Sequence, residues 1–236
     1  MHPQAVFLPT WEFVRRSWLG LAYGIVLIST YLVTTTVTAT QWDSISEHIS
    51  TNVHNMSEHP IAVMVASALV VDGSLLMWGT LAVVSLIVVQ RWIGAKWALL
   101  FAFLGNAIPT LITMASINYG LAVGWYDQSI RTTDDYGVSY VVATLLGALF
   151  WRIPSYKWRA AYLVLGFLWL TTMGLFQIPE NFTALGHVMG YVVGLGLGAL
   201  AVKYLTRPTT AERSVDDARA ETHGDRLLGV RDYQDA

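Results

Sequence analysis

Apolar residues gather into six runs separated by short polar stretches: 17–37, 74–89, 97–119, 136–151, 160–176 and 182–204. A helix rises about 1.5 Å per residue, so about 20 apolar residues match the hydrocarbon thickness of a bilayer, and the six runs read as six membrane-crossing helices. The first run follows Arg15 and Arg16 as a signal peptide would, but its apolar length exceeds that of a signal core, so an uncleaved helix is expected. One stretch departs from the pattern. Residues 61–89 form 29 nearly apolar positions, about 43 Å as a helix, interrupted at Asp72, Gly73 and Ser74. We expect an interfacial or re-entrant piece, starting near 56–60, before the break and the second span after it.

Charge orients these elements. Arg15, Arg16, Arg91, Lys96, Arg152, Lys157, Arg159, Lys203 and Arg207 fall on the side of the N-terminus if all six runs cross, and only Arg131 falls opposite. Asp43, Glu47, Glu58, Asp127, Asp134, Asp135 and Glu180 mark the other side. Because basic loops stay cytoplasmic, both termini are expected in the cytoplasm. The organisation is then an N-terminal segment at 1–16, a six-helix membrane domain at 17–205, and a charged, solvated and disordered tail at 206–236 with five Arg and seven acidic residues.

Composition agrees, with 54% apolar and only 13% charged residues against a usual charged share of about 25%. The expectation is an all-α, multi-pass integral protein of the plasma membrane, with the lipid bilayer as its first partner. A net charge of −2 gives no sign of a nucleic-acid binder. Zero cysteine excludes disulfides, thiolate catalysis and Cys-ligated metal.

Polar side chains inside the apolar runs are the candidates for chemistry, since each must be paired or functional there. Of six His residues only His187 lies within a run, six residues after Asn181 and so about 9 Å below the outer surface. Ser139 enters the fourth run at a similar depth on the same side, just after Asp134 and Asp135. Ser139, Ala143 and Gly147 form a stripe of small residues at four-residue spacing, and Gly186, Gly190, Gly194 and Gly198 form another. Small stripes let helices approach closely, so facing stripes would bring His187 within reach of the Ser139 hydroxyl. An imidazole beside a serine is the arrangement of acyl transfer. The plainer reading is a serine satisfied by its own helix and a histidine donating to a neighbouring carbonyl.

The stretch YGVSYVVATLLGALFW resembles the GxSG motif of the rhomboid intramembrane serine proteases, with Gly137 and Ser139 on the motif glycine and the nucleophile. LGHVMGYVVGLGLGAL resembles that family's AHxxG stretch, with His187 on the general base and Gly190 on the packing glycine. HPIAVMVASALVVDGS is similar to the family's approach to the second span, and the likeness runs from about residue 17 to 205. The resemblance implies a six-helix bundle that hydrolyses peptide bonds of transmembrane protein substrates near the outer face, using a Ser-His dyad and no cofactor or metal.

There are departures. Tyr140 replaces the last glycine of the motif, Gln90 stands where a Glu is common, and the family's Trp-Arg pair is missing from the first outer loop, where Trp42 and Asp43 lie. Met77 and Leu81 align with a His and an Asn that help bind the oxyanion. Losing one such donor typically costs about a hundredfold to a thousandfold in rate. Two functions therefore stand side by side: an intramembrane serine endopeptidase, or an inactive rhomboid-like protein that binds membrane-protein clients.

Overall fold

The computed structural model describes residues 10–71, 73–178 and 181–205, and among them the regular structure is entirely helical. Asp72, Glu180 and the tail at 206–236, all named above, lie outside the described residues, as do residues 1–9. In chain order the helices are α1 (Thr10–Thr36), α2 (Ala39–Ile49), α3 (Val53–Glu58), α4 (Pro60–Ser67), α5 (Thr80–Ile93), α6 (Ala95–Ala122), α7 (Val138–Leu149), α8 (Tyr156–Thr172) and α9 (Phe182–Leu200). A π-helical turn, Leu75–Gly79, leads into α5. Two units are distinguished, Met1–Leu200 and Ala201–Ala236; the described part of the second is one π-helical turn, Ala201–Leu205.

Four described helices are long and apolar enough to cross a membrane: α1, the helix from Leu75 through α5, α6, and the helix that begins at Phe182. α7 is shorter. Its 12 residues rise about 18 Å, yet nine of them are buried, because α7 occupies the middle of the bundle between α6 and α9. α8 lies at the other extreme, with only Leu170 buried and Val164, Leu165, Phe167 and Leu168 exposed, the surface of a lipid-facing helix.

Small residues set the close approaches. A Cβ on Gly190 would lie 3.1 Å from that of Ala143, and one on Gly194 would lie 2.0 Å from the Thr144 carbonyl oxygen. One on Gly147 would fall 2.2 Å from the Tyr191 carbonyl oxygen, so the two small stripes face each other along α7 and α9. Where backbones come this near, polar groups can be served across helices. Pro109 lacks an N–H, which leaves the Gly105 carbonyl without its usual partner four residues on. The Thr144 hydroxyl lies 3.2 Å from that oxygen and 2.9 Å from the Gly190 carbonyl oxygen, and donates its one proton between them.

The same logic joins α1 to its neighbours. Gln90 Oε1 accepts from the amides of Leu19 and Gly20 at 3.1 and 3.2 Å, across a contact so tight that a Cβ on Gly20 would meet Ile87 at 2.4 Å. At the end of α4, the hydroxyls of Tyr23 and Thr30 donate to the carbonyls of Ala68 and Leu69, both at 2.6 Å. Those carbonyls follow a helix end, and α1 satisfies them without water. The expected break is therefore real: α4 stops at Ser67, Gly73 takes φ of +83°, and Ser74 caps the π-helical turn by accepting from the Met77 amide.

Candidate active site

The site gathers at the start of α7. Gly137 donates its N–H to the Ser67 carbonyl at 3.2 Å, tying α7 to the end of α4. A Cβ there would fall 1.9 Å from Asn106 Oδ1, on a side chain whose own amide donates to the Met64 carbonyl at 2.6 Å. Glycine is thus required by close approach, and α4, α6 and α7 converge on it. Val141 donates to the Gly137 carbonyl at 3.0 Å, so the amides of Val138, Ser139 and Tyr140 belong to the first turn and have no carbonyl behind them in the helix.

Ser139 is half-buried, and its hydroxyl donates back to the Tyr136 carbonyl at 3.5 Å, the outer limit of a hydrogen bond. His187, in the second turn of α9, is buried among aromatic rings. Trp78 stacks on it with planes 3° apart and centroids 6.0 Å apart, while Tyr140 and Trp169 meet it edge-on at 5.4 and 6.0 Å. Neither ring nitrogen has a hydrogen-bond partner among the described residues. Ser139 and His187 line one cavity of about 180 Å³, together with Trp78, Asp135 and Thr183. That volume holds several water molecules.

Tyr140, the residue at the departing motif position, fits because α9 makes room for it. A Cβ on Gly186 would lie 2.1 Å from the Tyr140 ring, so the phenol fills a gap that only glycine leaves. Its hydroxyl donates to Asp135 Oδ2 at 2.8 Å. Asp135 is held on further sides. Its amide donates to Ser50 Oγ at 2.8 Å, and its carbonyl accepts from the Thr51 amide and hydroxyl, both at 2.9 Å. Burial pushes the Asp135 carboxyl up to about 7, against the opposing pull of hydrogen bonds from Tyr140, Thr51, the Tyr136 amide and Thr183.

The positions aligned with oxyanion-binding side chains do not line the cavity. Met77 is partly exposed, and Leu81 packs against the cluster of Leu27, Ala82, Val138 and Val142. Trp78 is the residue of this segment that faces the cavity. The π-helical turn is the physical reason, because its wider winding changes the phase with which side chains point before α5 begins. Asp135, Trp78, Thr183 and Asn106 were not singled out by sequence reasoning. No local pattern marked the first, because Asp135 precedes α7 and so lies outside the helical repeat that carries Tyr140.

With this geometry in view, the comparison with known families is decisive: the family described as rhomboid-like protein matches residues 12–207. The chain belongs to the rhomboid-like protein family. No curated protein and no solved structure gives a significant match. As a rhomboid-like protein with several long apolar helices, it is an integral membrane protein built as an all-α bundle in a lipid bilayer.

Proposed function

We propose that this rhomboid-like protein is an intramembrane serine endopeptidase of the plasma membrane, crossing six times with both termini in the cytoplasm and cutting transmembrane protein substrates near the outer face. The observation that carries the reading is that Ser139 and His187 open on one cavity large enough for several waters, while neither nitrogen of His187 has a partner among the described residues. Ser139 Oγ attacks the scissile carbonyl carbon as its proton passes to His187. The tetrahedral oxyanion is met by first-turn amides of α7, which can stand in for the side-chain donors missing at Met77 and Leu81. Collapse breaks the C–N bond, His187 returns the proton to the leaving amine, and a water from the cavity hydrolyses the acyl-enzyme by the same route. Ala143, Gly147, Gly190 and Gly194 keep α7 and α9 close, and Gly137 keeps the start of α7 against α4 and α6.

A fluorophosphonate probe tests the assignment. Labelling of the wild-type chain that disappears in Ser139→Ala and His187→Ala is expected, and persistent labelling of Ser139→Ala would remove Ser139 as nucleophile.

A second reading, an inactive protein that binds membrane-protein clients, is favoured by one observation: the Ser139 hydroxyl is turned to the Tyr136 carbonyl. Under it, Ser139→Ala and His187→Ala leave client capture unchanged, and loss of capture in both variants would count against it.

A further inference from the structure

At the end of the bundle opposite the cavity of Ser139 and His187, four arginines meet that the proposed chemistry does not use. Arg15 and Arg16 come from the start of α1, Arg91 from the last turn of α5, and Arg152 from the end of the short 3₁₀ turn after α7. They line one concavity of about 670 Å³ with Trp18 and Trp92, and no carboxylate lines it. Arg16 pairs with Glu12, whereas Arg15, Arg91 and Arg152 have no carboxylate partner among the described residues. The guanidinium of Arg152 lies 5.9 Å from the centroid of the Trp92 ring and that of Arg91 lies 5.7 Å from the Phe13 ring, so both planes are oriented by aromatic faces. Four like charges held together at a membrane surface repel one another unless an anion sits among them.

A second feature leads out of this concavity. Trp18, Leu21, Ile25 and Ile28 recur on one face of α1, and Leu76, Thr80, Val84 and Val88 recur at four-residue spacing toward and along α5. Most are exposed, Ile25 at 66% and Leu76 at 83%, and a groove of about 700 Å³ between the two helices is lined almost wholly by apolar side chains. Trp18 and Val88 line the arginine concavity itself, so the apolar lane begins where the charges are.

We infer that the α1–α5 face binds an anionic phospholipid, its phosphate among Arg15, Arg91 and Arg152 and its acyl chains along the lane from Trp18 and Val88 toward Ile28 and Leu76. Guanidinium groups donate in pairs to phosphate oxygens, and the indoles suit the headgroup boundary. The lane distinguishes a lipid from a free anion, because phosphate alone has no use for seven apolar positions. The Gln90 bridge to Leu19 and Gly20 fixes the floor, holding α1 against α5 beneath the headgroup.

The test is native mass spectrometry of the full chain in neutral detergent, titrated with phosphatidylglycerol, phosphatidylcholine or inorganic phosphate. Phosphatidylglycerol is expected to stay bound while phosphatidylcholine does not, and the Arg91→Gln/Arg152→Gln pair should weaken retention roughly thirtyfold, taking about fivefold for each arginine near a charged headgroup. Arg91→Lys/Arg152→Lys should keep much of the affinity, and Lys157→Gln, which does not line the site, should keep all of it. Circular dichroism of each variant confirms that it is folded. Equal retention of the two lipids, or no loss in the folded glutamine pair, would overturn the inference. Inorganic phosphate displacing phosphatidylglycerol at comparable concentration would overturn the lipid and leave an anion site.

Discussion

The Tyr140 hydroxyl, in the first turn of α7, donates to Asp135 Oδ2 at 2.8 Å, just before that helix, while the Tyr140 ring meets that of His187 edge-on. This bond joins the departing motif position to a buried acid that the sequence presented only as an outer-face charge. Tyr140→Phe removes the donor and leaves the carboxyl one partner short, a loss of about 1–3 kcal/mol in unfolding free energy. Tyr140→Gly, which restores the family's motif, is expected to cost more, about 3–5 kcal/mol, because the gap above Gly186 becomes a cavity. Thermal unfolding in detergent ranks the two.

Asp135 also makes stability depend on pH. Its carboxyl is raised from the ordinary value of 3.8 to about 7, so between those values the folded chain holds a proton that the unfolded chain has released. The stabilisation is complete below about pH 4 and is lost as pH rises toward 7. Unfolding midpoints of the wild type should therefore fall across that interval relative to Asp135→Asn, which has no proton to release; parallel curves would rule the effect out.

The glycines of α9 should separate sharply on substitution. Gly194→Ala drives a Cβ to 2.0 Å from the Thr144 carbonyl oxygen, a backbone atom that cannot swing aside, and α7 must part from α9. We expect a loss of about 3 kcal/mol or more, at the upper end of overpacking costs. Gly196→Ala meets nothing within 4 Å and should be neutral or stabilising by up to about 1 kcal/mol through helix propensity. The same unfolding assay reads both, and equal effects would refute the packing argument.

Thr144→Val keeps the shape of the side chain and removes the proton shared by Gly105 and Gly190. A loss of about 1–2 kcal/mol is expected. Combining it with Pro109→Ala, which restores an N–H for the Gly105 carbonyl, should recover part of that loss. A double-mutant cycle with no coupling would show that Thr144 does not serve that carbonyl.

Much of this was legible in advance, for reasons rooted in the solvent. A bilayer demands unbroken apolar runs, so the long helices and the interruption near Gly73 were visible as hydropathy. Close helix approach demands small residues, so Ala143, Gly147, Gly190 and Gly194 could be read as contact positions before α7 and α9 were seen together. Ser139 and His187 stood out because His187 is the one histidine within an apolar run and Ser139 enters its run at a similar depth on the same side. The surroundings of that pair were not legible. Trp78 reaches the cavity from within the π-helical turn Leu75–Gly79, a local winding that counting residues along the chain does not show. Likewise the grip on Asp135 comes from Ser50 and Thr51, about 85 positions earlier, and no local pattern announces it.

The sequence alone determined which segments must leave water and which polar residues within them would have to justify staying inside, because both follow from the cost of exposing or burying single side chains. Only the tertiary structure decided what those residues touch. Tyr140 beside Gly186, Pro109 relieved by Thr144, and four arginines brought to one concavity are all distances between distant parts of the chain, and distance is what folding adds to composition.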